Sequence, residues 1–147
     1  VGPMPEGDHR VPIGEAALRR AGSDLTIISY GAMAHFSVEA ADLLAQEGID
    51  ATVVDLRSLR PLDWPTIEAA VKRTSKVLIV YEDNEFLGYG AEISAQISEK
   101  AFDWLDAPVR RYASPDVPTF PYAASLEEQV IPNVEGIVER ARELAAF

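Results

Sequence analysis

The chain has 147 residues with 13 basic and 24 acidic side chains, a formal net charge of −11, which excludes the basic stripe a nucleic-acid surface needs. Hydrophobic residues make up 48% and charged residues 25%, a globular composition with room for one core, and no apolar run reaches the roughly 20 residues of a membrane span. Cysteine is absent, so disulfides, thiolate nucleophiles and cysteine–zinc centres are excluded.

Residues 1–12 hold Gly2, Pro3, Pro5, Gly7 and Pro12 with little apolar pattern. They read as a linker arriving from something upstream, with His9 an ordinary surface residue, and the domain proper as residues 13–147. No basic stretch followed by an apolar core marks a signal peptide. Residues 15–20 offer a short strand of ambiguous propensity. Residues 25–30 (Leu-Thr-Ile-Ile-Ser-Tyr) form a β-branched run stopped by Gly31, as a buried strand does. Ala34, Val38, Ala41 and Ala45 then recur at helical spacing until Gly48.

Residues 51–56 are the next strand. Asp63 is placed to cap a helix with Pro65 in its first turn and Ile67, Ala70 and Val71 on its apolar face. Residues 77–81 (Val-Leu-Ile-Val-Tyr) are the most apolar strand, followed by a loop over residues 82–90. Ile93, Ile97, Ala101 and Trp104 predict one further amphipathic helix. Residues 109–113 form a strand whose Arg110 and Arg111 suit a sheet edge. A proline-punctuated arm covers residues 114–132, and Asn133 caps a last helix with Val134, Ile137, Val138, Ala141 and Leu144 inward. Alternating strands and helices demand crossover connections, so the pattern predicts one α/β/α domain on a largely parallel sheet.

Motifs that carry chemistry are few. Gly88-Tyr89-Gly90-Ala91-Glu92 resembles the start of a dinucleotide fingerprint, but Ile93 stands where the third glycine belongs and Glu82, Asp83 and Glu85 would repel a phosphate. The structural reading is a tight turn feeding a closely packed helix. A Walker A loop is missing, and neither Ser29 nor Ser114 has nucleophile-elbow context. The three acidic residues read as a solvated loop in preference to a metal or acid/base cluster. His35 follows the first long strand near the carboxyl edge of the sheet, yet no second histidine is nearby, which favours a packing or interface role. The arm holds four of the ten prolines, with Phe120 and Tyr122 flanking Pro121. It either packs on its own domain or covers a neighbouring subunit, for which rigid aromatics are good anchors.

Several runs, in order, resemble one family. They are Val11-Pro12-Ile13-Gly14-Glu15-Ala16, Gly22-Ser23-Asp24-Leu25-Thr26, Ser29-Tyr30-Gly31-Ala32-Met33 and Val54-Asp55-Leu56-Arg57-Ser58-Leu59-Arg60-Pro61-Leu62-Asp63. Further along come Gly88-Tyr89-Gly90-Ala91-Glu92-Ile93, Leu105-Asp106-Ala107-Pro108-Val109, and Leu126-Glu127-Glu128 followed by Ile131-Pro132. The resemblance is to the C-terminal domain of beta subunits of pyruvate and branched-chain 2-oxo acid dehydrogenases, a transketolase C-terminal-like domain. Two departures stand out: residues 116–122 make the arm one residue longer than in shorter-armed relatives, and Tyr81 replaces a histidine many relatives carry.

The resemblance implies a three-layer α/β/α fold around a five-stranded mixed, mostly parallel sheet, with residues 15–20 as an antiparallel edge strand. It implies a domain with no catalytic, cofactor-binding or metal-binding residue of its own. Thiamine diphosphate and Mg would belong to the parent enzyme, which oxidatively decarboxylates a 2-oxo acid and transfers the acyl group to lipoyl groups. A pyrimidine-binding domain would precede residues 1–12. The implied partners are an alpha subunit or domain, a second beta subunit, and the peripheral subunit-binding domain of a dihydrolipoyl acyltransferase. Asp106 and the carboxylate of Phe147 match the positions that meet that basic domain; His35, Phe120 and Tyr122 are the candidate subunit-interface residues. The implied location is the bacterial cytoplasm, or the mitochondrial matrix in a eukaryote. Two other readings compete: the C-terminal domain of a transketolase or deoxyxylulose phosphate synthase, and a free-standing nucleotide-binding module using Gly88–Gly90.

Overall fold

The computed structural model describes residues 7, 8 and 10–147; His9 and most of the expected linker lie outside the described residues. Five strands form one sheet: β1 (Ala17–Arg20), β2 (Leu25–Ser29), β3 (Ala51–Asp55), β4 (Val77–Asn84) and β5 (Arg110–Ser114). Their order is β1-β3-β2-β4-β5. All neighbours run parallel except β1, which is antiparallel to β3. The short edge strand at residues 15–20 is therefore real, two residues shorter than the pattern suggested.

The helices are α1 (Ala32–Gln46), α2 (Trp64–Thr74), α3 (Tyr89–Lys100), α4 (Ala124–Glu127) and α5 (Val134–Ala145). Strand side chains alternate between two cores, as the pleat requires. Leu25, Ile27, Val53, Leu78 and Val80 pack on α1 and α5. Ile28, Val54, Val77, Ile79 and Tyr81 pack on α2 and α3. Because both faces are covered, β2 and β4 read as continuous apolar runs. Thr26 is the polar exception on the α2 side; its hydroxyl lies 2.8 Å from that of Thr74, so its burial leaves no orphan.

Capping sets the helix starts. Asp63 accepts from the Thr66 N–H at 3.2 Å, and Asn133 accepts from the Gly136 N–H at 2.8 Å, each relieving an orphan donor of the first turn. Asp63 also accepts the Ala16 N–H at 2.9 Å, which ties the approach to β1 onto the start of α2.

Three expectations need correction. β4 does not stop at Tyr81 but continues through Glu82 and Asp83 to Asn84, because the extended chain keeps a partner in β5, where Asn84 pairs with Ser114. The helix expected to reach Trp104 ends at Lys100, with the Ala101 N–H bonded to the Ile97 carbonyl and a separate 3-10 turn over Phe102–Trp104. Trp104 is consequently half exposed, with the Lys72 ammonium 5.1 Å from its ring. The arm is not wholly irregular, since α4 forms one short helical turn inside it.

Candidate functional site

The carboxyl ends of β2 and β4 form the point where strand order reverses, the usual ligand crevice of an open α/β sheet. Tyrosines fill it. Tyr30 stacks on Tyr81 at 6.4 Å between ring centroids and meets Tyr89 edge-on at 6.3 Å. Burial, reinforced by the neighbouring Asp83 carboxylate, pushes the Tyr30 phenol up to about 12. Burial also raises Tyr81, against the opposing pull of Arg111. Tyr81 is fully buried; its hydroxyl accepts from the Arg111 guanidinium at 3.2 Å.

The glycine loop serves this packing. At Gly90 a Cβ would fall inside the ring of Tyr81, and at Gly88 it would strike the Asn84 carbonyl and the far edge of the same ring. Both glycines are spent on a tyrosine, as the structural reading of the motif held, and Gly88 N-caps α3 with no side-chain bond. Glu82, Asp83 and Glu85 are exposed. Glu85 pairs loosely with Arg111 at 3.8 Å, and the Ser114 hydroxyl donates to the Glu82 carbonyl at 2.7 Å. The carboxylates at the rim and the tyrosines filling this crevice disfavour a phosphate.

The five candidate contact residues fall into two groups at opposite ends of the sheet. His35 is exposed in the first turns of α1, which follows the carboxyl end of β2. The arm leaves the carboxyl end of β5, with Phe120 36% exposed and Tyr122 fully exposed. Its return, through Glu127, Glu128 and Ile131, shares a groove with Phe36, the neighbour of His35. These three residues therefore belong to one end of the molecule.

Asp106 and Phe147 belong to the other. Asp106 stands just before β5, exposed, with its N–H donated to the Ser75 carbonyl at 2.9 Å. Phe147 follows α5, which runs back so that its C-terminus reaches the amino ends of the strands. The residue after Ser75, Lys76, donates from Nζ to the Ala145 carbonyl at 2.8 Å. One dipeptide, at the turn between α2 and β4, thus holds both the Asp106 loop and the last turn of α5. Ser75 can do so because it closes α2 in the left-handed region, at φ 57°. The Arg110 guanidinium lies 5.8 Å from the Phe147 ring centroid, a contact of the cation–π type. Arg110, Arg140, Glu143 and Phe147 line a groove of about 310 Å³ at this corner.

Sequence reasoning named Asp106 and Phe147 but missed Ser75, Lys76 and Arg110, which surround them. No local signal marks Lys76: a lysine after a helix end is ordinary, and its acceptor lies 69 residues away.

Comparison with known proteins matches this architecture. The family model for the transketolase C-terminal domain matches residues 14–137. The 2-oxoisovalerate dehydrogenase subunit beta of Bacillus subtilis (strain 168) is 43% identical over 146 residues, covering 99% of this chain and 45% of that protein. The mitochondrial pyruvate dehydrogenase E1 component subunit beta-2 of Oryza sativa subsp. japonica is 46% identical over 137 residues, covering 93% of this chain and 36% of that protein. A solved split-gene transketolase, an inactive beta4 tetramer, superposes with a TM-score of 0.82 at 27% identity, over 94% of this chain and 44% of that one. The chain thus spans less than half the length of these relatives.

Proposed function

The chain belongs to the transketolase C-terminal domain family, and from that premise we propose that it is the C-terminal assembly and docking domain of a 2-oxo acid dehydrogenase beta subunit. The similarity to dehydrogenase beta subunits, at 43% and 46% identity, exceeds that to the split-gene transketolase at 27%. It therefore favours the dehydrogenase over the transketolase reading. In this proposal the parent enzyme decarboxylates a 2-oxo acid and passes the acyl group to lipoyl groups. Residues 1–12 connect the domain to an upstream pyrimidine-binding domain. The carboxyl-end surface, with His35, Phe120 and Tyr122, meets the alpha subunit or a second beta subunit. The parent works in the bacterial cytoplasm, or in the mitochondrial matrix of a eukaryote.

Thiamine diphosphate with Mg does not fit the described residues. The glycine loop that a diphosphate would need is packed against Tyr81, and the crevice above it is rimmed by Glu82 and Asp83. Cofactor chemistry then belongs to the rest of the parent.

The observation that carries the docking reading is the shared anchorage of the Asp106 loop and the last turn of α5, which Phe147 follows, through Ser75 and Lys76. Two anionic groups, the Asp106 carboxylate and the carboxylate Phe147 bears when it closes the chain, sit at one corner of a strongly acidic protein. That pair steers a basic partner and accepts charge-assisted hydrogen bonds from arginine. The partner proposed is the peripheral subunit-binding domain of the dihydrolipoyl acyltransferase. Calorimetric titration of that domain into the chain tests it. Asp106→Asn is expected to weaken binding about tenfold or more and to flatten its salt dependence. Unchanged affinity and salt response would remove Asp106 from the docking site.

A further inference from the structure

The loop between β4 and α3 carries two large apolar side chains into solvent. Phe86 is 67% and Leu87 84% exposed, and Leu87 stands in the left-handed region at φ 61°. That conformation suits glycine or asparagine and strains a bulky side chain. Leu87 packs into neither core, so the domain itself gains little from a leucine there. The loop is nevertheless braced. The Glu85 N–H donates to the Ser114 carbonyl at 2.9 Å, and the Glu85 carbonyl accepts from the Arg111 guanidinium at 2.5 Å. On the other side of the tip Gly88 is buried against the Asn84 carbonyl. An exposed apolar pair on a strained but braced tip is preorganised for insertion, because little conformational freedom is left to lose on binding.

Charge narrows what the tip meets. Glu82, Asp83 and Glu85 are exposed beside it, and Arg111 offsets only Glu85, at 3.8 Å. Arg60 approaches this end from the side of Tyr89 and leaves the carboxylates in excess. A second copy of the chain docked tip to tip would set these carboxylates against their own counterparts, a repulsive arrangement. The complementary surface is an apolar pocket with a basic rim on a different polypeptide. We propose that Phe86 and Leu87 form an anchor that inserts into such a pocket on the alpha subunit of the parent enzyme. The inference rests on the reading of the carboxyl-end surface as a subunit interface. It adds the side chains that carry the contact and the chemistry of the surface that receives them.

The test mixes the parent's beta subunit with its alpha subunit and measures assembly by sedimentation velocity. The variants are Leu87→Asn, Phe86→Ser, Tyr122→Ser and the pair Glu82→Gln with Asp83→Asn; thermal melts of the chain are recorded in parallel. Asparagine tolerates the left-handed region, so Leu87→Asn should raise the melting midpoint by about 2 °C while weakening assembly about tenfold. Opposite signs for stability and assembly are the signature of a side chain kept for a partner. Phe86→Ser should weaken assembly by a similar factor at low and high salt, since apolar contact is not screened, whereas the charge pair should flatten the salt dependence. An unchanged salt response in the charge pair would overturn the basic rim. Full assembly by Leu87→Asn and Phe86→Ser, with Tyr122→Ser weakened, would overturn the anchor and leave the interface reading standing. Full assembly by all three would overturn both. A lowered melting midpoint for Leu87→Asn would also overturn the anchor, because the leucine would then serve its own domain.

Discussion

Gly90 lies against the buried ring of Tyr81 with no room between them for a methyl group. A sequence that begins like a dinucleotide fingerprint is in this protein a seat for a tyrosine, and the ring of Tyr81 leaves no space for a Cβ at Gly88 or Gly90.

Gly90→Ala should therefore destabilise the domain by about 3 kcal/mol or more, because a Cβ there forces a buried ring or a helix backbone to move. Combining it with Tyr81→Leu should recover part of the loss, the non-additivity expected of residues in contact. Chemical denaturation of the two single variants and the double variant measures this. Strict additivity would show that the two residues are not coupled.

Asp63 predicts an acid dependence. Burial raises its carboxyl, but the Ala16 N–H and the Thr66 hydroxyl and N–H more than offset this and hold it below the usual aspartate value. A lowered folded-state value means the contribution is complete above about 4, the unfolded value, and is lost as pH falls through the folded one. Asp63→Asn should thus be less stable than the parent chain at pH 7, and the gap should narrow progressively below pH 4. A gap that stays constant into acid would contradict the assignment.

Tyr30 predicts the alkaline counterpart. With its phenol raised to about 12 by burial and the nearby Asp83, the unfolded chain ionises first, near 10. The contribution of Tyr30 is intact below pH 10 and is lost as pH rises toward 12. Ultraviolet titration should show a late phase to which Tyr30, Tyr81 and Tyr89 all contribute. Tyr30→Phe should reduce that late phase by one phenol and flatten the loss of stability in the same window.

Lys76 should hold the end of α5. Lys76→Met removes its bond to the Ala145 carbonyl at a cost of about 1 kcal/mol, and amide exchange should rise over residues 144–147 while the strands stay protected. Under the docking reading the same variant weakens partner binding, and Lys76→Arg restores most of it. Protection unchanged at the end of α5 would remove Lys76 from this role.

Periodicity alone determined most of the fold. Apolar runs at residues 25–30, 51–56 and 77–81 are long enough for strands and too short for helices, and the intervening 3.6-residue patterns force crossovers and a parallel sheet. Asp63 and Asn133 were legible as caps because capping is a local interaction over three residues. Asp106 and Phe147 were legible only through a family resemblance. Three matters were left to the tertiary structure. β4 runs past Tyr81 because β5 stands beside it to accept the hydrogen bonds, and pairing partners are not encoded in the strand that needs them. Trp104 leaves the helix because its turn is set by the loop leading into β5, and Lys72, an exposed neighbour on α2, covers its ring. Ser75 and Lys76 join residues 31 and 69 positions away. Contacts across such separations are set by how helices dock on a sheet, and packing of that kind leaves no period in the sequence.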